Sequence, residues 1–128
     1  ESLQSAEMLA RSLGMRTFRV RDRDRAAYHA AASIAANFLV TLEGAAEELA
    51  ATAGVGREAL APLVRAAVEN WAARGAAAAL TGPIARGDAA TVTMQRQAIA
   101  DRVPHHLALF DVLAGATHRL AQQQGGSA

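Results

Sequence analysis

The 128-residue sequence has no cysteine and no lysine. Without thiols there are no disulfides and no thiolate chemistry, and a reducing compartment suits everything else in the chain. A dominant charge is also missing: 13 basic residues, all arginine, stand against 12 acidic ones for a formal +1. No global field therefore draws the chain toward nucleic acid or anionic lipid. No uncharged apolar run reaches about 18 residues, and the N-terminus lacks the basic, apolar and small-residue pattern of a signal peptide. The expectation is a cytoplasmic protein with no membrane partner. Internal repeats are absent.

What remains is alanine-rich and patterned for helices. Residues 3–13 place Leu3, Ala6, Leu9 and Leu13 on one helical face, with Gly14 as a left-handed stop. "MRTFRV" at 15–20 alternates in a way that suits one short strand, which would need a partner outside this chain or in a second copy. From Asp22 or Asp24, either a plausible N-cap, the sequence runs without proline to Ala53, and Gly54 ends it. That predicts a helix of about thirty residues, near 45 Å long. Its apolar stripe includes Tyr28, Ala31, Ala35, Phe38, Leu42 and Leu49. A further helix is expected over 57–74, with Leu60, Leu63, Val64 and Trp71 buried and a break near Pro62. A one-turn helix at 75–79, a helix from Asp88 to about Arg102 and a last one from Pro104 to about Gln123 complete an all-α domain. Residues 124–128 read as a disordered tail.

Several motifs have simple explanations. "GVGREA" at 54–59 matches G-x-G-x-x-A as text, but a helix precedes it where a dinucleotide cradle needs a buried strand. "RVRDRDR" at 19–25 interleaves its arginines with aspartates and has no aromatics for base stacking, so no nucleic-acid partner is expected. His105, His106 and His118 lack the i+3 or i+4 spacing and the carboxylate pattern of a metal site, so none is expected there.

Two features ask for more. His29, Ser33 and Asn37 lie at i, i+4 and i+8, a polar line along the apolar long helix, which is either satisfied structurally or turned toward a ligand. "ALTGPIARGDA" at 79–89 interrupts the helices. Gly82, Pro83, Gly87 and Asp88 explain themselves as a stop, a bend and a cap. Thr81 and Arg86 remain, a hydroxyl and a planar cation on a rigid turn, suited to a carboxylate or phosphate oxygen unless Arg86 pairs with a local acid.

"RAAYHAAASIAANFLV", followed some forty residues later by "ALTGPIARGD", resembles the C-terminal helical domain of bacterial Rossmann-like oxidoreductases. These proteins are similar in plan to pyrroline-5-carboxylate reductase, ketopantoate reductase and 6-phosphogluconate dehydrogenase. The resemblance spans about Phe18 to Gln123. It implies a helical bundle around one long helix (residues 22–123), like the C-terminal domain of 6-phosphogluconate dehydrogenase. Residues 1–21 would be a connector from a preceding Rossmann domain, and the chain would form a homodimer. NAD or NADP would be bound by the longer protein and not by this chain alone, beside a small anionic substrate. His29 would stand in the region of the family's catalytic lysine and Asn37 in that of its asparagine, with Tyr28, Ser33, Thr81 and Arg86 around the substrate. The absence of lysine departs from that pattern, so His29 is expected as the acid/base group. A non-catalytic helical dimerisation module is the alternative.

Overall fold

The computed structural model describes residues 2–12, 14 and 19–125, and among them the fold is all-α with no strand. Of the stretch expected as a strand, residues 15–18 lie outside the described residues, and Arg19 and Val20 adopt no regular structure. The chain divides into two compact units, Glu1–Thr41 and Leu42–Ala128.

The first unit holds α1 (Ser2–Ser12), a 3₁₀ turn (Asp22–Asp24) and α2 (Arg25–Ala32). A π-helical turn (Ser33–Phe38) follows, and then the start of α3 (Leu39–Ala51). The long helix expected as one α-helix thus contains a turn in the wider i→i+5 ladder. Asp22 and Asp24 do not cap it by side-chain hydrogen bonds. They bind arginines instead: Arg25 Nη2 lies 2.8 Å from Asp22 Oδ1, and Arg21 Nε lies 3.2 Å from Asp24 Oδ2. The alternating charges of this stretch neutralise one another locally.

The second unit contains the rest of α3, α4 (Arg57–Arg74), α5 (Ala76–Ala79), α6 (Ala89–Arg102), a 3₁₀ turn (Pro104–His106) and α7 (Leu107–Gly125). The helix ends follow local chemistry. Gly54, at φ 75°, turns the chain out of α3, and its N–H donates to the Ala51 carbonyl. Asp88 caps α6, accepting from the Thr91 backbone N–H at 3.2 Å and from its hydroxyl at 2.7 Å. The expected break at Pro62 does not occur, and α4 runs through it. The carbonyl that Pro62 deprives of a partner is that of Glu58, in an exposed first turn where solvent can serve it. Residues 124 and 125, read from the sequence as tail, lie in α7. Gln124 is helical, and its amide donates to the carbonyls of Ala77 (2.6 Å) and Leu80 (3.0 Å), fastening α7 to the end of α5; residues 126–128 lie outside the described residues.

Side-chain bonds join the other helices of this unit. Arg96 forks onto Asp111, with both N–O distances at 2.8 Å, between α6 and α7. Arg57 reaches Glu47 at 2.9 Å between α4 and α3. Among the described residues only Ile99 (7% exposed) and Val103 (3%) are buried apolar side chains. Ile99→Ala is therefore expected to destabilise the protein by about 2–5 kcal/mol, the usual cost of emptying a packed site, read as a shift in the urea midpoint. A shift within error would show that this corner carries no packing energy.

The stripes expected to be buried are only partly covered. Leu60 and Val64 are half-buried, but Trp71 is 56% exposed and Leu63 more so, and Phe38 is 55% exposed beside Ile34 and Val40. Periodicity marks which face of a helix needs cover; it does not say that the same chain supplies it.

Candidate functional site

His29 stands exposed in the last turn of α2, and the Tyr28 ring lies beside its imidazole, 6.1 Å between centroids and tilted by 55°. Ser33, half-buried, opens the π turn, and Asn37, exposed, stands one residue from its end. A π ladder rotates each residue by less than an α-helix does, so Ser33 and Asn37 stack more nearly one above the other than their spacing predicts. The Thr41 hydroxyl donates to the Asn37 carbonyl at 3.1 Å, bonding a backbone acceptor at the end of the wide turn. The side chains of Ser33 and Asn37 make no hydrogen bond with the described residues.

Thr81 and Arg86 belong to the second unit, on the bend between α5 and α6. Hydrogen bonds hold that bend: Arg86 N–H to Gly82 carbonyl at 3.2 Å, Gly87 N–H to Ile84 carbonyl at 3.1 Å, and Asp88 N–H to Pro83 carbonyl at 2.8 Å. Gly87 takes φ 71°, a conformation that a Cβ would strain. Thr81 and Arg86 are both exposed, and Arg86 forms no ion pair with the described residues. Its charge acts on Asp88, whose carboxyl is held below its usual range first by the Thr91 hydroxyl, then by the Thr91 N–H, with Arg86 adding a smaller push. The local-acid explanation of Arg86 is thus limited to a weak field. The expected site residues fall into two groups, Tyr28, His29, Ser33 and Asn37 in the first unit and Thr81 with Arg86 in the second.

The Gly54–Gly56 turn follows α3 and not a strand, and the exposed Glu58 side chain folds back over Gly56.

A third constellation, invisible to local spacing, lies in the second unit. Glu48 on α3 meets both histidines of the 3₁₀ turn, Oε1 at 2.7 Å from His105 Nε2 and Oε2 at 2.7 Å from His106 Nε2. The premise that no carboxylate joins these histidines is corrected here: the partner comes from 57 positions away, and no sequence signal marks it. The His106 hydrogen bond draws the Glu48 carboxyl below its ordinary range; burial opposes it, and the His105 hydrogen bond and the charges of the two rings add smaller downward pushes. His106 also borders an apolar groove of about 570 Å³ between α3, α6 and α7, whose walls include Leu42, Leu49, Ile99 and Phe110.

Glu48, Asp88 and Asp111, the last paired with Arg96, all have lowered folded-state pKa values. Their contribution to stability is complete above the ordinary carboxyl values of 3.8 to 4.5 and is lost as pH falls through the lowered ones. The thermal midpoint is expected to fall as the solution is acidified below about pH 4.5, and Asp111→Asn should flatten part of that fall. An unchanged acid limb in Asp111→Asn would remove the Arg96–Asp111 fork from the explanation.

No curated protein and no solved structure matches this chain. A family model described as a domain of unknown function, DUF2520, matches residues 1–117. With nearly the whole sequence inside that match, the chain belongs to the DUF2520 family.

Proposed function

We propose that this chain is the substrate-binding and dimerisation domain of a cytoplasmic NAD(P)-dependent oxidoreductase, joined in a longer protein to a dinucleotide-binding Rossmann domain. The observation that carries this reading is the π turn at Ser33–Phe38. π turns inside α-helices are frequent at functional sites. This one holds two side chains of the polar line, neither of them hydrogen-bonded to the described residues, directly after His29. His29 gives or takes the proton that accompanies reduction or oxidation of the substrate, since imidazole is the common acid/base group near neutral pH. Asn37 and Ser33 hold the reacting group by hydrogen bonds, and Tyr28 borders it. Thr81 and Arg86, in the second unit, suit an anionic group by their chemistry. The nucleotide is assigned to the other domain, because the glycine turn at 54–56 follows a helix and not a buried strand.

The dimerisation half rests on exposed apolar side chains: Ile34, Phe38 and Val40 in the first unit and Leu63 and Trp71 in the second are each more than half exposed. Apolar faces left open in this way mark interaction surfaces. A second copy is the occupant that supplies the same uncovered stripes in return.

The exposure of Ile34 and Phe38 on either side of Asn37 favours a second reading, in which the π turn is only an interface. Steady-state turnover of the nicotinamide cofactor by the longer protein, with His29 and Asn37 variants, separates the two. Micromolar NADPH binding by this chain alone would overturn the division of labour.

A further inference from the structure

We propose that Glu48, His105 and His106 form a binding site for a divalent transition-metal ion of the zinc type. The donor set is two imidazole nitrogens and one carboxylate, which suits Zn²⁺, Co²⁺ or Ni²⁺ and does not suit Mg²⁺ or Ca²⁺. The three side chains each bring a donor atom to within 4.8 Å of the others. Neighbouring residues of a 3₁₀ turn point about 120° apart, and yet both Nε2 atoms here converge on one carboxylate, with ring centroids 4.2 Å apart. Pro104 opens that turn and fixes the backbone ahead of the pair.

Ligand bonds of about 2.0–2.2 Å in a tetrahedron hold donors about 3.3 Å apart. The three donor atoms here lie within 4.8 Å of one another, so the side chains close around an ion by at most about 1.5 Å. The side chains of Glu48 (48% exposed) and His105 (59%) face solvent, which permits that adjustment and gives an ion its way in. On binding, each neutral ring carries its proton on Nδ1 and offers the Nε2 lone pair, and the ion replaces the two hydrogen bonds to the carboxylate. The fourth position is left to water. Such an ion ties α3 to the corner between α6 and α7, at the border of the apolar groove.

Titration of the purified protein with Zn²⁺ by calorimetry, and with Co²⁺ by its visible absorption, tests the site. One ion per chain is expected at micromolar affinity or tighter, with no response to Mg²⁺ or Ca²⁺. Glu48→Gln, His105→Ala and His106→Ala should each weaken binding about tenfold or more, and His118→Ala should not. Should a variant lose its helical circular dichroism, histidine ¹⁵N spectra of the unaltered protein decide: Zn²⁺ must shift the ring nitrogens of His105 and His106 and leave those of His29 and His118. Binding weaker than about millimolar, or binding that Glu48→Gln leaves intact, would overturn the proposal, the latter showing only adventitious capture by adjacent histidines.

Discussion

Replacing His29 with alanine in the protein that joins this domain to its dinucleotide-binding partner should lower kcat/KM about 10²- to 10⁴-fold, the usual contribution of a positioned acid/base group. Affinity for the nucleotide alone should not change, because the imidazole acts on substrate. The pH profile adds a readout that a structural role would not move. In His29→Gln the side chain keeps hydrogen-bonding capacity and loses its proton equilibrium, so a limb of the profile assigned to the imidazole should flatten. Asn37→Ala should reduce turnover by weakening the hold on the reacting group, without altering the shape of that profile. Undiminished turnover in both variants would leave the π turn as an interface and return the domain to a module without chemistry.

The second large effect concerns the uncovered apolar surface. Phe38→Asp is expected to convert a dimer into a monomer or an unfolded chain. Burying a phenylalanine contributes about 1.5–3 kcal/mol. A two-fold axis counts the substitution twice, so the dimer weakens by about 3–6 kcal/mol, roughly 10²- to 10⁴-fold in its dissociation constant. The introduced carboxylate adds its own desolvation cost. Trp71, the single tryptophan, supplies an independent report, since its emission should shift to the red as the dimer dissociates. Analytical ultracentrifugation of Phe38→Asp showing an unchanged association constant would place Phe38 outside any interface.

Much of the helix layout was legible in the sequence, because helix ends are written locally. Gly54 takes its positive φ, Asp88 binds Thr91, Pro104 opens the last turn, and α6 ends at Arg102, each by an interaction within a few residues. Pro62 misled because proline is costly in a helix interior, and this one stands close enough to an exposed start for the helix to continue. The π turn was not legible: a change of ladder from i→i+4 to i→i+5 leaves no mark in composition, although His29, Ser33 and Asn37 drew attention to the right segment. Burial was misjudged for Leu63, Trp71 and Phe38 because periodicity reports that a face is apolar and is silent on who covers it. The meeting of Glu48 with His105 and His106 depends on tertiary packing alone. The adjacent histidines are visible in the sequence, and the carboxylate that joins them is supplied by folding.

The uncovered faces and the near absence of buried apolar side chains among the described residues support the proposed association of two copies. Sedimentation equilibrium of the unaltered 128-residue protein at micromolar concentration measures it most directly. The expected result is a mass twice the 13.3 kDa of one chain. A monomer that keeps full helical content and a cooperative unfolding transition would contradict it.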